Sequence, residues 1–188
     1  EGTSDSMSIH LDNEVGPRFV SHTDFVGLRD KIEVNFDLPI TEGSLTDHFQ
    51  IQSQIDNELS EKISYSRAEN HQVIQVILDS LKSFTSLDTI TLTIMNSLTD
   101  TLGKGFDGDG DGDPEYSEVD NFDIQITTPL LADYDSTGII DGDDLIPFIT
   151  AWYAEDYTYE LGPSSGTVPY LTPIYNNYFN IDDLMSFV

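Results

Sequence analysis

From Pro17 to Thr128 the apolar side chains recur at every second position in short runs. Ile32, Val34 and Phe36 alternate with charged or polar neighbours, Ile90, Leu92 and Ile94 with threonines, and Phe122, Ile124 and Ile126 with Asp123 and Gln125. Successive side chains of a strand point to opposite faces, so this period predicts half-buried antiparallel strands. The segment from His71 to Leu81 fits two templates: Val73, Ile74, Ile77 and Leu78 mark a helical face, and Ile74, Val76 and Leu78 mark a strand. Its β-branched content and its neighbours decide for a strand. Several short strands separated by polar turns predict a β-sandwich of the immunoglobulin type over residues 17–128. Residues 1–16, polar and aperiodic, read as a tail or linker.

Beyond Pro129 the period changes. Leu145, Phe148, Ile149 and Trp152 stand at i, i+3, i+4 and i+7, an apolar helix stripe with Asp141 as its N-cap. Pro147 lies too deep to open that helix and is expected to cost a hydrogen bond or bend the axis. The fold expected is therefore mainly β with a small α module, residues 129–188 forming the helical domain. The join Thr127-Thr128-Pro129-Leu130-Leu131 is short and partly apolar, so the two parts are expected to pack as a fairly rigid rod.

Two stretches carry chemistry. Residues 107–118 satisfy the twelve-place calcium-loop pattern: Asp107, Asp109 and Asp111 at places 1, 3 and 5, Gly112 at 6, Asp113 offering its carbonyl at 7, Glu115 at 9 and Glu118 at 12. Hard oxygen ligands at alternate positions let a tight turn wrap one Ca²⁺. The pattern recurs with Asp133, Asp135 and Thr137 at places 1, 3 and 5, Gly138 at the turn, the Ile139 carbonyl, Asp141 at 9 and Asp144 at 12. Two Ca²⁺ sites are expected. The first loop is preceded by Gly103 and Gly105 and followed by a strand, so it reads as a metal-stapled connection between the last two strands of the sandwich rather than a helix-loop-helix hand.

Composition adds a setting. A net charge of -28, with only 7 Lys and Arg in 188 residues, excludes nucleic acid and anionic membranes as partners. Without cysteine, extra stability has to come from packing and metal. No apolar run is long enough to span a bilayer. The chain begins with Glu1 and carries no signal peptide, which reads as an excised or processed piece of something larger. Weak-to-moderate calcium sites suit millimolar calcium, an extracellular or cell-surface location.

Pro17 with the strand Lys31 to Asp37, the run Leu98-Thr99-Asp100 leading to Gly103-Lys104-Gly105-Phe106-Asp107-Gly108, and the strand Phe122 to Thr128 resemble the bacterial Ig-like domains of surface-layer and other cell-surface proteins. That resemblance implies spacing, adhesion or assembly without catalysis. Further on, Asp182-Asp183-Leu184-Met185-Ser186-Phe187-Val188 repeats Asp143-Asp144-Leu145-Ile146-Pro147-Phe148-Ile149 at an offset of 39. An internal duplication of calcium loop plus helix resembles dockerin (the type I dockerin repeat, an EF-hand-type helical domain), which docks onto cohesin domains in extracellular assemblies. Aligned on Asp183 as place 12, the second copy has Thr172, Ile174 and Asn176 at places 1, 3 and 5 and Asn177 in the glycine's place, so it reads as having lost its acidic ligands. Phe179, Leu184 and Phe187 are then expected to pack against Ile140, Leu145 and Phe148 in place of metal.

Catalytic motifs are poor. Gly162-Pro163-Ser164-Ser165-Gly166 spells a nucleophile elbow without its strand-turn-helix context, and no histidine follows His71. No catalytic residues are expected. The reading is a non-catalytic, calcium-stabilised structural or interaction module with a protein partner: a cohesin-like domain, neighbouring surface domains or a second copy. Carbohydrate binding is the remaining alternative, because Tyr134, Tyr153, Tyr157, Tyr159, Tyr170, Tyr175, Tyr178 and Trp152 all fall in the last third.

Overall fold

The computed structural model describes residues 16–24, 26–112 and 121–187. It is mainly antiparallel β structure with two small helices. Among the described residues seven strands form the first part: β1 (Phe19–His22), β2 (Ile32–Phe36), β3 (Phe49–Ser53), β4 (Ile63–Ala68), β5 (Val73–Leu78), β6 (Thr89–Ile94) and β7 (Phe122–Thr127). They divide into a four-stranded sheet ordered β1-β2-β5-β4 and a three-stranded sheet ordered β3-β6-β7.

The alternation seen in the sequence is what joins the sheets. Register pairs Ile32 with Val76 and Val34 with Ile74 in one sheet, and Ile90 with Ile126 and Leu92 with Ile124 in the other. All eight of these side chains are buried in a common core, whose inward faces meet where Phe36 packs edge-on against Phe49 at 6.5 Å. The ambiguous segment is strand β5, hydrogen-bonded to β2 on one side and β4 on the other. A helix there would leave β4 without a partner and β2 with β1 alone, so tertiary pairing resolves what periodicity alone could not.

Gly16 is buried and belongs to this body rather than to a tail. A Cβ on it would stand 1.5 Å from the Gly105 carbonyl oxygen, so the two backbones approach as closely as only glycine allows.

After β7 the chain forms α1 (Gly142–Ala154), a hairpin of β8 (Ser164–Thr167) and β9 (Tyr170–Pro173), and α2 (Ile181–Met185). Asp141 caps α1 by accepting from Asp143 N, and Asp144 returns the bond to the Asp141 backbone, a complete capping box. Pro147 lies inside α1 and offers no N–H to the Asp143 carbonyl. The buried face differs from the expected stripe. Asp144, Phe148 and Ala151 are buried, whereas Ile149 is 43% exposed. Because the Asp144 carboxylate is drawn inward by backbone donors, the i, i+4, i+7 line through it faces the core and Ile149 turns outward. Phe148 then meets Phe179 at 5.7 Å and Phe187 at 4.9 Å, while Trp152 stacks on Phe179 at 5.3 Å. Leu184, expected in that cluster, is 42% exposed; α2 is a single short turn, and Asp183 takes its inward position.

The two parts share one core cluster, to which Leu131, Ala132, Phe148, Ala151, Leu161 and Phe179 contribute from the C-terminal side.

Candidate metal centres

In the β6–β7 connection a tight turn brings ligand oxygens of Asp107, Asp109 and Asp111 within 4.8 Å of one another. Asp107, 2% exposed, accepts from Gly110 N at 2.8 Å and Gly112 N at 3.1 Å. Gly110 and Gly112 take φ of 78° and 96°, the left-handed region in which a glycine carries no steric cost. Arg18 Nε donates to Asp107 Oδ2 at 2.9 Å, so one place-1 oxygen already faces a cation. Asp113, Glu115 and Glu118 lie outside the described residues.

Over its first six places the loop of residues 133–144 takes a similar backbone path. Asp133 accepts from Thr137 N at 3.0 Å and Gly138 N at 2.8 Å, and positive φ recurs at Ser136 (59°) and Gly138 (81°), again places 4 and 6. Asp133, Asp135 and Asp144 bring their oxygens within 4.8 Å. Asp144 is fully buried and accepts from Tyr134 N at 2.7 Å and Asp141 N at 2.9 Å, with Asp135 N farther at 3.4 Å. These donors aim the carboxylate before any ligand arrives, and the first turn of α1 favours its negative charge. Thr137 Oγ1 donates to the Ile139 carbonyl at 3.3 Å, which sets the oxygens of places 5 and 7 beside each other. Asp141 stands outside the acidic group and is held by its capping bond; place 9 in such loops often reaches the ion through water.

Oxygen donors alone, carboxylate and carbonyl, suit a hard cation of the calcium type and not a soft one. Both clusters fit that group by the chemistry of their donors.

The second half of the C-terminal module departs from the expected register. Places 5 to 12 stand as aligned: Asn177 takes φ of 57° where Gly138 has 81°, Asn180 caps α2, and Asp183 closes its capping box. Place 1, however, is Glu160 and not Thr172. Glu160, 1% exposed, accepts from Asn176 N at 2.5 Å and Asn177 N at 2.8 Å, the pairing that Asp133 makes with Thr137 and Gly138. Asp183 accepts from Leu161 N and Gly162 N at 3.0 and 2.6 Å, as Asp144 does from Tyr134 and Asp135. Place 3 is therefore Gly162, and the hairpin β8–β9 is inserted between places 3 and 5. Gly162 cannot carry a ligand: its φ is 55°, and a Cβ would lie 2.1 Å from the Ile174 carbonyl oxygen. Sequence spacing missed Glu160 because Asp133 and Glu160 are 27 positions apart while Asp144 and Asp183 are 39 apart. The readable trace of the insertion is the proline-bounded stretch Pro163 to Pro173 with Gly166 and Pro169 at its turn.

Ser164 of the elbow spelling is an exposed residue at the start of β8. Of the clustered tyrosines, Tyr175 is buried, whereas Tyr153 and Tyr178 are 86% and 64% exposed.

Among solved structures, the N-terminal part of the bacterial S-layer protein SbsC is similar to this chain, at 20% sequence identity and a TM-score of 0.40. The match covers 60% of this chain and 23% of that chain. Neither a protein-family model nor a curated protein sequence matches.

Proposed function

We propose that this chain is a calcium-stabilised, non-catalytic structural module of an extracellular or cell-surface protein, an Ig-like sandwich followed by a dockerin-like helical module. The observation that carries the reading is the similar path of the two acidic loops over their first six places. In each, a buried place-1 aspartate is pinned by backbone N–H groups, left-handed residues stand at places 4 and 6, and three carboxylates converge. The sheet orders β1-β2-β5-β4 and β3-β6-β7 support the Ig-like reading, since constant-type Ig domains order their strands A-B-E-D and C-F-G. The repeated capping boxes at Asp141/Asp144 and Asn180/Asp183 support a duplicated loop-helix unit.

Converging carboxylates repel without a cation, by about 1 to 4 kcal/mol per pair at 4 Å between bulk and near-surface dielectrics. A bound Ca²⁺ at 100 times its Kd stabilises the fold by about 2.7 kcal/mol per site. Calorimetric titration is expected to give two Ca²⁺ equivalents, and EDTA to lower the melting temperature, with recovery in Ca²⁺ but poorly in Mg²⁺, which demands a smaller octahedral site. An unchanged melt in EDTA together with no binding heat would overturn the calcium reading.

A second reading, recruitment of a cohesin-like protein, is favoured by the exposed Ile146, Ile149 and Tyr153 at i, i+3 and i+7 along α1. Pull-down with cohesin domains separates it from a purely structural role.

A further inference from the structure

We propose that the hairpin inserted in the second loop, gripped by Ser86, is a clasp that couples the loop of residues 133–144 to the sandwich. Through it, an ion bound in that loop stabilises both parts as one cooperative unit. The proposal rests on the calcium reading for its ion, and on the junction geometry for its coupling.

Ser86 is fully buried and joins three segments. Its N–H donates to the Leu171 carbonyl of β9 at 2.8 Å, its Oγ donates to the Pro169 carbonyl at 2.8 Å, and the same Oγ accepts from Leu131 N at 3.1 Å. Leu131 lies in the short turn that delivers Asp133, whose N–H donates to the Leu130 carbonyl at 3.1 Å. One hydroxyl thus ties the sandwich, the inserted hairpin and the entry of the metal loop. Its neighbours repeat the grip. Ser83 Oγ donates to the Pro173 carbonyl at 2.8 Å, and the hydroxyls of Thr85 and Thr172 meet at 2.7 Å. Ser83, Phe84, Thr85 and Ser86 are all at most 2% exposed, so the sandwich side of each bond is buried, and breaking one strands a buried polar group.

A second strut stands outside the hairpin strands, on the segments that flank them. Arg29 donates to the Tyr157 carbonyl at 2.7 Å, and its guanidinium lies 3.9 Å above the Tyr175 ring. Tyr175 stands two residues after the end of β9 and precedes Asn176, which donates to Glu160. The insertion has therefore replaced the ligand at place 3 with a strand pair whose far edge is held by the sandwich. A loop that had only to close on itself would need no such reach.

The test reads the two parts separately. Trp152, the sole tryptophan, reports the C-terminal module by fluorescence, and far-ultraviolet circular dichroism reports the sheets. An Asp109→Ala background confines calcium to the loop of residues 133–144. In that background the two probes are expected to give one coincident denaturant transition, and free Ca²⁺ at about 100 times Kd to lower the unfolding constant about 100-fold on both. Adding Ser86→Ala, or the milder Thr172→Val on the hairpin side, is expected to split the transitions, so that Ca²⁺ shifts only the Trp152 signal. Coincident probes that still shift together in variants binding Ca²⁺ as the parent does would overturn the clasp. If the parent binds no Ca²⁺, the calcium reading falls, and the clasp is judged by whether the probes coincide in the parent and split in Thr172→Val.

Discussion

Burial pushes the phenol of Tyr65 up to about 12 from an ordinary 10.0, with its ring stacked 5.5 Å from Phe49. Tyr134 and Tyr175 are pushed higher still, again chiefly by burial. A phenol raised in the fold contributes stability that is whole below pH 10 and is lost as the pH rises past the folded value, because the unfolded chain releases its proton first. Stability is therefore expected to decline from pH 10 upward, with these three tyrosines ionising only as the fold opens. Absorbance titration beside circular dichroism checks this: phenolate appearing at Tyr65 well before unfolding, judged against Tyr65→Phe, would contradict it. None of these environments was legible in the sequence. Seven tyrosines clustered near the C-terminus read first as core for a small module, yet only the packing separates buried Tyr175 from Tyr153 at 86% exposure.

Among the elements, the two loop-helix units make a controlled comparison, because Gly138 and Gly162 both take positive φ but differ in surroundings. Nothing lies within 4 Å of a Cβ built on Gly138, whereas one on Gly162 meets the Ile174 backbone. Gly138→Ala should cost about 1 to 2 kcal/mol, the left-handed penalty alone. Gly162→Ala adds a clash between backbones that neither strand can relieve without opening the hairpin stem, where Ile174 N bonds the Pro163 carbonyl at 2.9 Å. Denaturant titration in EDTA is expected to rank Gly162→Ala as clearly the more damaging; equal costs would mean that the stem gives way freely. Strands β2, β6 and β7 were readable beforehand from their period of two and β5 from its β-branched content, as were the N-cap at Asp141 and the paired places of the 133–144 loop, whereas β1, β3, β4 and the hairpin were not. The second loop was not, because an insertion leaves the residues on either side correct while shifting their partners. Only the bonds from Asn176 and Asn177 to Glu160 reveal what stands at its head.

On the scale of the whole molecule, a net charge of -28 repels the compact state against itself. In EDTA the melting temperature is expected to rise as NaCl increases from about 50 to 500 mM, since the screening length contracts below about 10 Å. A melting temperature that falls with salt would show that the few attractive pairs, such as Arg18 with Asp107 and Lys62 with Asp56, outweigh the general repulsion. Charge balance was evident from composition; the continuity of one core through both parts was not, because Ala132 and Leu161 give no sign in sequence of which neighbour they bury against. Strand β7 links the two acidic clusters. Phe122 at its start stacks on Phe19, beside the Arg18 that holds Asp107, and Thr127 at its end leads into the turn before Asp133. Six extended residues measure about 20 Å, roughly two screening lengths at 0.1 M salt. Two divalent ions placed there would barely sense each other's field, so any mutual help between them has to travel as mechanical fit. The strand resembles a string fixed at two pegs: tightening either peg sets its pitch, and neither peg turns the other.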